Sequence, residues 1–373
     1  MKKRSGDSAD SVKRSLKGSF VLLLAGSAAL VLSRNTDWFG EWYAEHIFPV
    51  FPDAIGRVMS LFPFSVFEIL IYALTAFFAA YVIYLLFLAV VPGRRKKLKR
   101  AAISALCFTL VFASAAFMAL SLTCLVNYSR ETFAGLTGRE TAPASKEDLL
   151  NLCELLIRDV NELSGKITAD KEGLFSLGDT DVKMEARDSM TRLGRQEKAL
   201  SGYYPNPKPL IASRGMSWLG LTGIYSPFTI EANYNDDIPD YLIPFTVCHE
   251  LAHLRGFIRE DEAGFISYLA CRGSSLAGFR YSGAMNALSY ALGAYYSDAS
   301  PEEFADLCAT IGEQPMRDFA ANNAYWKRFE GKVSEIANKA NDSYLKANAQ
   351  EGGVKSYGRM VDLLLAEYKN AHV

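Results

Sequence analysis

The residues with the clearest chemical capacity form one short string, His249-Glu250-Leu251-Ala252-His253. Residues four apart on an α-helix sit one turn above each other, so the two imidazoles look out from the same face. Neutral imidazole is a good zinc ligand, and such a pair can grip one ion. Glu250 stands beside the first imidazole, where a carboxylate can take a proton from water activated by that ion. The string therefore predicts metal-assisted hydrolysis, with His249 and His253 as ligands and Glu250 as general base.

A catalytic zinc site normally has three protein ligands and one open position. One class of zinc motif places a third His, after a glycine, where this chain has Arg259, and a guanidinium cannot ligate. The acidic run Glu260-Asp261-Glu262-Ala263 opens the next helix and offers oxygen donors. Glu260 is the expected third ligand and Glu262 the alternative, because residues two apart on a helix diverge by about 200° and only one can face the ion. Asp261 ranks behind both. Acids in a first helical turn also have a plain electrostatic reason, the helix dipole. Acyl transfer further needs a donor for the developing oxyanion. Tyr290, Tyr357 and Arg359 are the candidates, with His372 at the terminus behind them. An Arg can instead hold a ligating carboxylate from outside.

The elements that must position these groups read as a mainly helical α+β unit with a small sheet. The motif helix should begin near Pro239 or Asp240 and run to Leu254, with Gly256 ending it. Residues 227–232 read as a strand, and Pro227 marks an edge or a strand start, where an extended peptide could be held by backbone hydrogen bonds. Before it come a helix begun by Ser145 and Asp148, a polar helix over 182–200, and an extended arm with Pro205, Pro207 and Pro209 at alternate positions. After the motif, helices are expected over 282–296, 301–312, 315–346 and 354–369. Ser300-Pro301 with Glu303 is a clear start signal.

The first third of the chain has another character. Residues 16–33, 62–91 and 101–126 are apolar runs long enough to cross a bilayer, predicting three transmembrane helices. A cleaved leader ending near Ala28 is the lesser alternative for the first. A basic tail precedes the first run, and Arg94-Arg95-Lys96-Lys97-Leu98-Lys99-Arg100 separates the second from the third, whereas 34–60 holds Asp37, Glu41, Glu45 and Asp53. Positive charge collects on the cytoplasmic side. The N-terminus should then be cytoplasmic and everything after residue 127 outside. The chain divides on this reading into a membrane domain over residues 1–126 and an extracytoplasmic domain over residues 127–373. Trp38, Trp42, Tyr43, Phe48 and Phe51 suit either a bilayer surface or ordinary packing. With 40 basic and 41 acidic residues the net charge is -1, so bulk charge implies no nucleic-acid partner. Six Cys without a C-x-x-C pair make a sulfur-ligated metal site unexpected.

The HELAH string followed by Glu260-x-x-Ala263 resembles the Glu-ligated zinc metallopeptidases. More closely, residues 249–268, with Asn341-Asp342-Ser343-Tyr344-Leu345-Lys346-Ala347-Asn348 and Ser356-Tyr357-Gly358-Arg359-Met360, resemble an uncharacterised bacterial membrane family, the domain of unknown function 3810, over nearly the whole chain. The resemblance implies a zincin-like C-terminal unit in the bacterial cytoplasmic membrane. It also implies Zn2+ held by His249, His253 and Glu260, Glu250 as base, and a peptide or protein substrate. Two functions follow from different classes: a membrane-anchored zinc endopeptidase, or a non-catalytic sensor or scaffold that keeps the shape. Three spans with no charge at their centres argue against a transporter.

Overall fold

The structure, a computed structural model, describes residues 3–139, 141–142, 144–348 and 359–371. Three helices, Lys3–Asn35, Val66–Val90 and Arg95–Thr123, are long and apolar enough to cross a membrane. Few side chains in their apolar stretches are buried within the protein. Leu70, Phe78, Ile83 and Leu106 all point outward, and only lipid can keep such surface from water. The first and third helices run parallel and close: a Cβ added at Gly26 would lie 3.1 Å from Met118 Cα. The second is antiparallel to the third, with Phe77 6.0 Å from Phe108 and the Tyr81 hydroxyl donating to the Ala101 carbonyl at 2.8 Å. One end of the bundle thus holds the turn at 91–94, and the other holds the rest of the protein.

Several expected boundaries shift. The second span begins at Val66 rather than Phe62, because the Ser65 hydroxyl caps it by accepting the Glu68 N–H at 3.1 Å. The third takes in most of the basic run and stops at Thr123, followed by a tight 3-10 turn, Leu125–Ser129. Residues 127–139 are tied into the fold. Arg130 is buried, paired with Glu41 at 3.0 Å and lying 4.0 Å over the Phe257 ring. Phe133 packs between Phe257 and Phe265. The polar composition of the stretch conceals the few apolar anchors that decide its course. The aromatic loop before the second span does two things at once. Helix Phe39–His46 buries Phe39 and Tyr43 with Phe48 and Val126, and leaves Trp38 and Trp42 exposed.

The remaining unit is built on helix packing. Helix Lys146–Ser164 starts in the expected capping box of Ser145 and Asp148 and buries Leu149, Leu152, Leu156 and Val160. It lies against helix Ala277–Tyr296. The motif helix, Ile243–His253, and its successor, Glu260–Arg272, occupy the centre. Buried thiols of Cys248 and Cys271 hydrogen-bond between these two, and all six cysteines are free. The polar helix spans Val182–Gln196 and is followed by a 3-10 turn, Lys198–Leu200. Ser300 and Glu303 form their capping box at helix Pro301–Cys308.

A three-stranded mixed sheet, order β1-β3-β2, joins β1 (Lys208–Pro209), β3 (Glu231–Tyr234) and β2 (Gly223–Ser226), with β1 parallel and β2 antiparallel to β3. The expected strand at 227–232 is mostly the turn between β2 and β3. The Ser226 carbonyl accepts the Ile230 N–H at 2.8 Å, the Ser226 and Thr229 hydroxyls bond at 2.8 Å, and Ile230 takes φ 54°. Local side-chain bonds here override the β preference of the apolar residues. β1 and β2 are the two edge strands of this sheet. The long helix expected over 315–346 is two, Glu313–Lys327 and Lys332–Ala347, because Phe329 turns in against Trp218 and Tyr325 at 5.2 and 5.1 Å. The last helix is Arg359–Ala371, and 354–358 lie outside the described residues.

Sheet and spans are tied together by a buried charge cluster. Glu231 accepts the N–H groups of Val66 and Phe67 at 3.0 and 2.8 Å, the free amides at the start of the second span. Lys208 Nζ lies 2.5 Å from Glu231 and donates to the Met59 carbonyl at 2.6 Å, with side-chain exposures of 2% and 1% for Lys208 and Glu231. Glu68 in turn accepts the amides of Ile211 and Ala212 at 2.8 and 2.7 Å. The end of the third span is held by Thr123, whose hydroxyl donates to the Pro227 carbonyl and whose carbonyl accepts from the Tyr225 hydroxyl.

Candidate metal centre

The motif helix buries Val247, Cys248, Leu251 and Leu254 on its core side. Gly256, at φ 82°, then turns the chain, and a Cβ there would meet Arg130, Asn127 and Phe48 at 3.4 Å. This sharp exit lets helix Glu260–Arg272 return alongside, so that His249 Nε2 and Glu260 Oε2 face each other at 2.9 Å. The His249 and His253 rings stand perpendicular with centroids 4.8 Å apart. One donor atom each from His249, Glu250 and His253 fall within 4.8 Å of one another. His253 Nδ1 lies 2.8 Å from the Phe257 carbonyl. A carbonyl only accepts, so Nδ1 carries the proton and Nε2 keeps its lone pair for a ligand.

The electrostatics fit a cation. Burial pushes the His253 pKa down to about 4, keeping the imidazole neutral as a ligand must be. Burial also pushes Glu250 up to about 8, opposed by the neighbouring His249. At His249 burial opposes charge, but the hydrogen bond and charge of Glu260, with Glu250 behind them, hold its pKa above the ordinary value. Two carboxylates desolvated side by side are costly without a positive partner. Ligand atoms around one zinc ion sit roughly 3–3.5 Å apart at bond lengths near 2 Å, close to the His249–Glu260 spacing. The donor set could coordinate a metal.

Of the two acids in contention, Glu260 is the one beside the imidazoles. Glu262 points the other way, accepting the Phe133 N–H at 2.9 Å and pairing with Arg259 at 3.1 Å. Arg259 also donates to the carbonyls of Tyr128 and Arg130. Asp261, also buried, is paired with Arg359 at 3.1 Å. Arg359 is thus absent from the cavity lining and reaches only the neighbour of Glu260. Tyr290 does line the cavity, its hydroxyl pKa raised to about 12 by burial and then by the charge of Glu260. Tyr357 and His372 lie outside the described residues.

The donors open into a cavity of about 650 Å³, a size suited to a small ligand or a few residues of peptide. β2 forms one side. A Cβ on Gly223 would fall 2.5 Å from Glu250 Oε1 and 2.8 Å from Thr246 Cγ2, so only glycine lets the strand backbone come this near the helix. The Tyr225 amide hydrogen-bonds Glu250. Sequence reasoning missed Tyr225, whose ring is 6.0 Å from His253, and Tyr344, which lines the cavity. Tyr344 sits in a stretch that carries the family resemblance, the one signal that could have singled it out. It also missed Cys124, in the third apolar run, and Tyr128, just after it, since neither position gave a sign of facing a polar site.

Fold and site together define a largely helical protein with three helices fit to span a membrane and a small His/Glu cluster able to hold a metal. The chain belongs to the family described as Protein of unknown function (DUF3810), whose match covers residues 43–365. No curated protein and no solved structure matches it.

Proposed function

We propose that the protein is a membrane-anchored zinc-dependent endopeptidase. What supports this reading is the cluster of His249, Glu250 and His253, with Glu260 2.9 Å from His249 and an edge strand along the cavity. A zinc ion held by these residues would supply Lewis-acid polarisation and a lowered pKa for water. Glu250 takes the proton of the attacking water and delivers it to the leaving amine. Tyr290 is the oxyanion donor we favour among the candidates, and β2 aligns the peptide backbone.

The working unit comprises residues 127–373, carried by a membrane domain of residues 1–126, and it faces the extracytoplasmic side of a bacterial cytoplasmic membrane. In support, the basic turn lies at the opposite end of the span bundle from the sheet.

Two measurements test the reading. Purified full-length protein in detergent should hold about one zinc per chain and cleave an unbiased peptide mixture, with both lost after chelation. His253→Ala should lose the zinc, and full zinc content in that variant would rule out the ligand assignment. A zinc-loaded wild type that cuts nothing would favour the sensor or scaffold instead. Glu260→Gln and Glu262→Gln separate the two acids. The first should weaken zinc binding by more than about 100-fold, exceeding the loss of an outer-shell partner. The second should leave zinc affinity in place and lower the melting temperature, since the Phe133 amide and Arg259 lose their charged acceptor. Competition with a chelating dye reads the first effect, and equal affinities in both variants would exclude Glu260.

A further inference from the structure

Resting on the endopeptidase reading, we propose that the substrates are polypeptides anchored in the same bilayer and cut just beyond their point of exit. Helix Lys332–Ala347 lies on the membrane surface as the cover of that entrance.

The cavity wall is partly membrane helix. Leu120 and Cys124, at the end of the third span, and Tyr128, in the turn after it, line the same space as His249 and Glu250. The neighbouring rim is apolar and open. Phe228 lines the cavity, is 47% exposed and stacks 6.5 Å from Phe67, the second residue of the second span. Ile211, 71% exposed, donates its amide to Glu68 in the first turn of that span. Trp218 and Leu219 are exposed nearby, the residue types that favour the headgroup boundary and the acyl chains. Phe228 and Ile211 thus join this rim directly to the first turn of the second span.

The cover helix is anchored at both ends to the same boundary. Phe329, just before it, packs edge-on to Trp218 at 5.2 Å, and Tyr344 near its end meets the Cys124 thiol at 3.4 Å. Ala337, Asn338, Asn341 and Tyr344 face the cavity. The adjoining stripe, Val333, Ile336 and Ala340, is exposed, with Lys332 and Lys339 along its edge. An apolar stripe bordered by lysines is how a helix rests in a lipid interface. Such a cover forms one wall of the cavity over the donors. It leaves an approach from below, where a chain rising out of the bilayer in extended form meets β2 at the edge of the sheet.

The test uses the zinc-loaded full chain in phosphatidylethanolamine–phosphatidylglycerol liposomes and one randomised segment in three settings. The segment directly follows a Leu/Ala transmembrane helix, follows that helix after a long Gly/Ser spacer, or is free in solution. The directly joined segment should be cut at least about tenfold faster than the others, because anchoring confines it near the cavity. Equal rates in all three settings overturn the proposal and leave the endopeptidase reading standing. A second readout does not need turnover. With a photo-crosslinking residue at Asn338 in the Glu250→Gln background, the joined reporter should be captured at least about tenfold more than the free one. Capture of lipid alone, or equal capture of both reporters, overturns the proposal even if no variant cleaves. Ile336→Asp, outside the cavity lining, should slow cutting of the joined reporter only. An unchanged rate there removes the helix from the proposal.

Discussion

Replacing Glu250 with glutamine is expected to lower kcat for peptide hydrolysis by roughly 10²–10⁴ while zinc content stays at the wild-type level. The substitution preserves shape at a site where shape is tightly set: the side chain is buried, wedged against Gly223 and bonded to the Tyr225 amide. What it removes is the ability to take and return a proton. His249, His253 and Glu260 are untouched, so the ion should remain. Paired measurement of zinc by elemental analysis and of product formation from a peptide mixture reads both halves. A variant that keeps more than about a tenth of wild-type turnover would eliminate Glu250 as the base. A variant that loses zinc as well would show that Glu250 belongs to the metal shell, which its position within the donor cluster makes worth measuring.

The second large effect lies away from the cavity. Glu231→Ala should destabilise the protein by about 3–5 kcal/mol, because it strands Lys208 as a buried cation with no carboxylate opposite. It also strips the acceptor from two amides at the start of the second span. A fall in melting temperature of roughly 10 °C in detergent corresponds to that range. The double variant Lys208→Met with Glu231→Leu should recover some of the loss, since an apolar pair can replace an ionic one. It cannot recover everything, because the Val66 and Phe67 amides stay unpaired. Full recovery would show that the capping bonds contribute nothing. A single variant as stable as wild type would show that the cluster does not hold sheet and span together.

How much of this was legible beforehand depended on whether a feature was local. The helical spacing of His249 and His253, the capping signals at Ser145 and Ser300, and the three apolar runs are short-range patterns, and each appears in the structure, the runs with shifted ends. The strand expected over 227–232 and the helix expected over 315–346 were displaced for a shared reason. Propensity there favoured a regular element, while contacts from distant residues or local hydroxyl bonds imposed a turn.

From the chain of residues alone came the donor types, their spacing, and the division into apolar spans and a mainly helical remainder, because periodicity and length constrain these directly. The folded arrangement decided which acid meets the imidazoles, through the turn at Gly256 that aims Glu260 inward and hands Glu262 to Phe133 and Arg259. It also set the cavity against the end of the third span, where Cys124 and Tyr128 join its wall. The meetings of Glu262 with Phe133 and of Cys124 and Tyr128 with the motif helix join residues more than a hundred positions apart, and no period or motif within one segment encodes a meeting of that kind.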